Sequence, residues 1–264
     1  MPHDVEPRGG LEVRLPQPRR LAGITRFTGP LTEIVQALVE IDAAHLLRPS
    51  DTTWFVADLR HDEGDLIARL EDPRPDPAVS IDDALVPVRA LLDGLIHLRQ
   101  WPAVPRLFMP STVRRVARLA SPQHGLRRVG AVGSAGSWPA PVELCEAIRV
   151  NADAAARRKT MINGAVVGVL SGAYEIVAGS MLKTRLRDLV DGELVEGFVP
   201  QRLAEQLRDA WQHPVVMTGA ISRNAVGQAI RIDAHSVEVL LDQYSIPADV
   251  GAATAGLTGV GGRR

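Results

Sequence analysis

The spacing of apolar residues changes once along the chain, near residue 160. Before that point most segments repeat apolar side chains every three or four residues, as amphipathic helices do. After it, apolar and polar residues alternate, which is typical of strands that bury one face. The change predicts two parts of different architecture.

The first part begins with the order strand, helix, strand, strand. LEVRL alternates like a short strand, and a helix is predicted from Pro30, which suits the first helical position. TTWFVADLR and DLIARLED then predict a β-hairpin, because Gly64 permits the turn between them. Packing a helix on one face of the resulting sheet would bury the apolar side of both.

Three more helices are predicted before the change in periodicity. They cover 82–101, 111–120 and 141–159, and GLRRVGAVG predicts a strand between the second and the third. The helix at 141–159 connects the two parts. The first part is therefore predicted to be an N-terminal β-α-β-β unit with added helices.

The second part predicts three strands, a helix and two strands. The strands are GAVVGVL, LKTRLRDL and ELVEGFV, followed by the helix QRLAEQLRDAW and a strand pair within 213–241. This order resembles that of an OB fold, a five-stranded barrel with a helix between its third and fourth strands. Another small barrel or an open meander also fits the order.

These elements predict an α+β protein that ends in a small five-stranded β-barrel. The expected organisation is a flexible tail at 1–10, an α+β domain at 11–140, the connecting helix at 141–159, a barrel domain at 160–246 and a flexible tail at 247–264.

Composition narrows the class of protein. Of the 264 residues, 45% are hydrophobic and 23% are charged, as in an ordinary globular protein. Cys145 is the single cysteine, and the first residues lack the basic and apolar stretches of a signal peptide. Apolar runs stay far below the roughly 20 residues that cross a bilayer. We expect a cytoplasmic protein with no membrane association.

Charge is unevenly distributed. Residues 58–93 hold ten acids and four arginines, whereas 94–142 hold seven arginines and no acid. The formal net charge of -1 argues against a protein that coats nucleic acid through its total charge. Any basic binding surface must therefore be local.

Two groups of basic residues are candidates for binding nucleic acid or another partner. The first lies on one face of the strand LKTRLRDL, and the second lies on the helix 111–120 and just after it. A helix-turn-helix is not predicted, because Pro122 and Gly125 stand where its second helix would begin. The second group is also explained by pairing with the acids of 58–93 or by exposure to solvent. The candidates are Lys183, Arg185, Arg187, Arg114, Arg115, Arg118, Arg127 and Arg128.

Motifs for catalysis or metal binding are missing from the sequence. The glycines of GAVGSAG are not in the GxGxxG order, and the same stretch lacks a GxSxG elbow. The histidines show no pairing typical of zinc ligands, and Cys145 is better explained as a packed thiol than as a nucleophile. We predict no catalytic residue, no metal and no cofactor.

Three functional hypotheses follow, in order. The first is a non-enzymatic binding or regulatory protein with a macromolecular partner, since charge is segregated and catalytic motifs are missing. The second is a nucleic-acid-binding protein that uses the barrel and the arginine-rich segment. The third is an enzyme with a dispersed site, which a pocket joining Asp58, His61 or His97 to an arginine would support. Self-association through an exposed strand edge, such as that of the 213–241 hairpin, is a further possibility.

Overall fold

The computed structural model describes residues 10–16, 24–46, 50, 52–62, 64–72, 85–122, 126–132, 138–171, 175–177 and 181–240. Residues 1–9 of the predicted N-terminal tail and the whole predicted C-terminal tail lie outside the described residues. The first part contains β1 (Gly10–Pro16), α1 (Ile24–Leu46), β2 (Phe55–Asp62), β3 (Asp65–Glu71), α2 (Val86–Gln100), α3 (Pro110–Leu119), β4 (Arg128–Val132), β5 (Val142–Glu143) and α4 (Glu146–Ala156). The second part contains β6 (Thr160–Leu170), β7 (Glu175–Val177), β8 (Met181–Asp188), β9 (Leu194–Pro200), α5 (Ala204–Asp209), β10 (Pro214–Arg223) and β11 (Ala229–Val239).

The first part is built on a five-stranded antiparallel sheet in the order β2-β3-β1-β4-β5. The β2–β3 turn contains Gly64 at a φ of 87°, a left-handed conformation that glycine adopts without a steric penalty. Helices α1 to α4 pack on one another, and α2 also contacts β4. Strand and helix side chains share one aliphatic core, which includes Leu11, Val13, Leu38, Ile41, Leu91, Leu95, Val113, Val116 and Ile148. The predicted β-α-β-β unit with added helices is confirmed.

Two element boundaries differ from the sequence prediction. Helix α1 begins at Ile24, so Pro30 lies inside it and not at its first position. A proline nitrogen cannot donate the helical hydrogen bond, but the turns after it bury Ile34, and packing of that face holds the helix together. At the connecting segment, Val142 and Glu143 pair with β4, and the helix begins only after Cys145.

The second part is a closed five-stranded barrel. The strands pair in the order β6-β10-β11-β9-β8, and β8 pairs with β6 to close the ring. β9 and β11 run parallel, and α5 lies between β9 and β10 in sequence, as the predicted β-β-β-α-β-β order requires. The short β7 adds a hairpin to β8 that the sequence did not predict. A Cβ on Gly168 would lie 2.4 Å from the carbonyl oxygen of Arg187, so closure of the barrel requires glycine there.

The two parts contact each other through the loop between β10 and β11. The Gln228 amide accepts a hydrogen bond from the backbone nitrogen of Val104 at 2.7 Å, and its own nitrogen donates to the Val104 carbonyl at 3.3 Å. Buried Asn224 donates to the Ala155 carbonyl at 3.1 Å, at the end of α4. Ile230, which follows this loop, packs in the core of the first part. The barrel is therefore fixed against the helices by polar and apolar contacts.

None of the helices among the described residues is long and apolar enough to pass through a lipid bilayer.

Asn224→Ala should lower the free energy of unfolding by an amount on the order of 1–3 kcal/mol, because it removes a buried amide and leaves its partners unsatisfied. The asparagine also accepts from the backbone nitrogens of Val226 and Gln228, so the loop itself depends on it. Urea unfolding followed by circular dichroism measures the destabilisation. Val226→Ala, in the same loop but exposed, should change stability by less than about 0.5 kcal/mol. Equal effects of the two substitutions would contradict this role of Asn224.

Candidate nucleic-acid interface

The predicted basic stripe forms on the outer face of β8. Leu182, Thr184 and Leu186 are buried in the barrel, whereas the residues between them are only partly buried. The two-residue period of a strand therefore sends Lys183, Arg185 and Arg187 outward together.

The neighbouring strands add an aromatic ring and a further cation to this face. In the register of β8 and β9, Lys183 is opposite Phe198 and Arg185 is opposite Glu196. β11 then places Arg231 opposite Glu196 on the other side of β9. Directly opposite residues point to the same side of a sheet, so these side chains share the outer face. We call the outer face of β8, β9 and β11 the basic face.

An arginine from the first part reaches the basic face at Glu196. Arg114, on α3, donates from Nη2 to the two carboxylate oxygens of Glu196 at 2.9 and 3.1 Å. Lys183 Nζ lies 3.6 Å from the same carboxylate. The Glu196 side chain is only 5% exposed, whereas those of Arg114 and Lys183 are 46% and 28% exposed. The acid is thus covered while both cations remain accessible to solvent.

Arg231 lies over Phe198 at the distance of a cation–π contact. Its guanidinium carbon is 3.8 Å from the ring centroid, and its Nε donates to the Asp233 carboxylate at 2.9 Å. The pair thus combines a guanidinium and an aromatic ring, the two kinds of side chain on which nucleobases stack.

Arg187, the third residue of the stripe, binds to the first part of the protein. Its Nη2 donates to the Ala44 carbonyl at 2.7 Å, in the last turn of α1. A cation is favourable at this end of a helix dipole. Burial lowers the pKa of Arg187, and the nearby positive charge of Arg106 lowers it further. The adjacent Leu194 packs against Ala44 and Met109, so this end of the basic face is covered by the first part.

The other arginines of α3 are held by α1. Arg115 pairs with Glu33 at 2.8 Å and with Glu40 at 3.1 Å, and Arg118 pairs with Glu33 at 2.8 Å. The hydrogen bond from Arg118 is the largest influence on Glu33, whose pKa lies below its ordinary value. Their acidic partners are on α1 and not in segment 58–93, since α1 and α3 pack side by side.

The last two candidates lie on the five-stranded sheet, away from the barrel strands. Arg127 is 3.4 Å from Asp65, which does belong to the acidic segment. Arg128 lies on β4, opposite Glu143 of β5. The structure therefore brings Arg114, Lys183 and Arg185 together. It places Arg115, Arg118, Arg127, Arg128 and Arg187 elsewhere.

Sequence reasoning missed Arg231 and Phe198 as members of the site. The alternation of AIRID predicts that Arg231 points outward, but its contact with Phe198 depends on the parallel pairing of β9 with β11. That pairing joins strands separated by α5 and β10, and no local pattern reports it.

A separate surface cavity bears on the enzyme hypothesis. It has a volume of about 360 Å³ and is lined in part by Arg89, Asp93, His97 and Arg106, so it does join His97 to arginines. Asp58 and His61 lie on β2 and are not part of it. The lining includes no serine, cysteine or lysine that would serve as a nucleophile, and no group of three metal-ligating side chains occurs in the described part of the chain.

No family model, curated protein or solved structure matches this chain. The interpretation of the basic face therefore depends on its own geometry and chemistry.

Arg118→Gln should destabilise the protein at neutral pH by no more than about 1 kcal/mol, since this ion pair is partly exposed. Because the folded-state pKa of Glu33 lies below its ordinary value of 4.5, the stabilisation is present above that pH and disappears as the pH falls further. The melting temperatures of wild type and variant should therefore differ at pH 7 and converge as the pH falls below 4.5 and Glu33 becomes protonated in the folded protein. Arg202→Gln, which removes an exposed arginine, is the matched control. A difference that stays constant with pH would count against this assignment.

Proposed function

We propose that this protein acts by binding and not by catalysis, and that the basic face binds single-stranded nucleic acid. The observation that carries the proposal is the convergence of Arg114, Lys183, Arg185 and Arg231 around Glu196 and Phe198, neighbours on the outer side of β9. Cations next to a stacking platform are the two components that single-strand binding requires.

The position of this face in the barrel supports the proposal. β8 and β9 are the second and third strands of the five-stranded ring in chain order, leaving aside the added hairpin strand β7. In OB-type barrels this strand pair forms the surface that binds oligonucleotides and oligosaccharides. Phosphates of a bound strand would meet Lys183, Arg185 and Arg114, while a base would stack on Arg231 and Phe198.

The electrostatics predict a small and salt-sensitive site. The chain as a whole carries a formal charge of -1, so binding depends on the four cations gathered on this face and not on the total charge. Three or four phosphate contacts on a single strand correspond to a slope of log K against log salt of about -2 to -3. Affinity should therefore fall steeply between low and physiological salt.

We further propose that this binding takes place in the cytoplasm, in keeping with a chain that has one cysteine and no disulfide framework. A regulatory role would follow from competition for the bound strand.

Lys183→Gln and Arg231→Gln should each weaken binding of a fluorescein-labelled oligothymidine. Each should also make the salt dependence shallower, by about 0.7 in slope for every phosphate that the variant no longer neutralises. Arg231→Gln should weaken stacking as well, so its effect at high salt should be the larger of the two. Fluorescence anisotropy at several salt concentrations measures both the affinity and the slope.

Arg208→Gln is the matched control, since Arg208 is exposed on α5 of the same barrel and the change in charge is identical. Its slope should equal that of the wild type. The proposal fails if oligothymidine and the corresponding RNA do not bind at low salt, or if Arg208→Gln weakens binding as much as Lys183→Gln does.

Glu196→Gln should strengthen binding. The buried carboxylate holds Arg114 and Lys183 and competes with a phosphate for both. Glutamine keeps the size of the side chain and a carbonyl oxygen that accepts from Arg114, so α3 stays beside the barrel while the competing negative charge is removed. Asp209→Asn removes the same charge from exposed α5 and controls for the change in net charge. Circular dichroism confirms that each variant is folded. Equal affinities of the Glu196→Gln and Asp209→Asn variants would show that this carboxylate does not compete with the ligand.

A further inference from the structure

The barrel and the five-stranded sheet differ in their free edges. In the 213–241 hairpin, β10 is paired with β6 along its whole length and β11 is paired with β9 over Arg231–Asp233, so barrel closure covers much of the edge of that hairpin. In the five-stranded sheet, β2 is the end strand and is paired with β3 alone among the described strands. β5, at the opposite end, has only two residues.

β2 is exposed along its whole length. All eight of its residues are solvent-accessible, including three large apolar ones, Phe55, Val56 and Leu59. Val56 is opposite buried Leu70, and Leu59 is opposite buried Ala68, so both lie on the core side of the sheet. They are nevertheless 45% and 50% exposed, because the described helices do not cover this strand. Exposed apolar residues on the core side thus occur together with a backbone edge that no other described strand pairs with.

The opposite side of β2 carries charges of alternating sign. Asp58, Arg60 and Asp62 follow one another at a spacing of two residues. Edges that are protected against pairing carry charges that would repel a second strand. A sequence with alternating signs instead complements its own antiparallel copy.

We propose that β2 pairs antiparallel with β2 of a second copy of this chain, about a two-fold axis at Leu59, and so joins the two sheets into one. In this register Asp58 faces the partner's Arg60, and Arg60 faces the partner's Asp58. Leu59 faces the partner's Leu59 on the core side. An interface of this kind, with the same patch on both copies, is the commonest in homodimers.

Other antiparallel registers that keep the core sides of the two strands together are less favourable. An axis at Arg60 sets Arg60 against the partner's Arg60, and Asp58 against the partner's Asp62. An axis at Asp58 sets that carboxylate against its own copy. An axis at His61 pairs only the last three residues of the strand. β2 has a bulge between Val56 and Asp58, so regular pairing is confined to the residues from Asp58 onward. Within that stretch, the axis at Leu59 combines opposite charges at Asp58 and Arg60 with an apolar contact between the two Leu59 side chains.

A charge swap tests the pairing. Asp58→Arg places two arginines opposite each other on both sides of the axis and should shift the protein to monomer, whereas the double variant Asp58→Arg with Arg60→Asp should restore the dimer. Arg60→Asp alone also removes the 3.0 Å ion pair of Arg60 with Glu12, so Asp58→Arg is the cleaner single change. Sedimentation velocity over a range of concentrations measures the dissociation constant against the 28.5 kDa chain mass. Circular dichroism checks that each variant is folded.

Cysteine substitution tests the register directly. In a Cys145→Ser background, Leu59→Cys should form an intermolecular disulfide under mild oxidation, since residues opposite each other at the axis have Cβ atoms about 4.5–5.5 Å apart. Val56→Cys, on the same side of the strand but separated from the axis by the β-bulge between Val56 and Asp58, should not.

The proposal is overturned if the wild type stays monomeric at the highest concentration, if Asp58→Arg leaves a dimer intact, or if the double variant does not recover the dimer that Asp58→Arg disrupts. Faster cross-linking through Val56→Cys than through Leu59→Cys would overturn the register.

Discussion

The carboxylate of Glu196, on the barrel, forms an ion pair with an arginine of the helical part. It lies on β9, is almost fully buried, and is held by Arg114 of α3 and Lys183 of β8. An unpaired carboxylate there would be costly, so these cations must stay close to it. The interaction thereby fixes α3 beside the barrel and gathers positive charge at one position. The basic face depends on this arrangement.

The basic residues fall into two groups, according to whether their charge is matched by partners inside the protein. Arg115, Arg118 and Arg187 meet carboxylates or a helix-end carbonyl between packed elements, and their positive charge holds those elements together. Arg114 and Lys183 share one carboxylate between them, which leaves an excess of positive charge at a position open to solvent. A count of arginines along the chain cannot distinguish these cases, because the difference lies in their partners.

Much of the fold could be predicted from the sequence, and much less of the site. Strand alternation identified the barrel strands and the outward side of β8, since both follow from local periodicity. The start of α1 at Ile24 was missed because packing outweighed the local penalty at Pro30. The contact of Arg231 with Phe198 and the pairing of Arg118 with Glu33 were missed because they depend on long-range register and helix packing.

The most direct measurement of the central claim is ultraviolet cross-linking of a bound oligothymidine, followed by mass spectrometry of the peptides. Aromatic side chains that stack on a base are the expected positions of the adducts. We predict an adduct at Phe198, on the basic face. Adducts confined to the exposed Trp101 of the helical part, or no adduct when the oligonucleotide is saturated with protein, would contradict it.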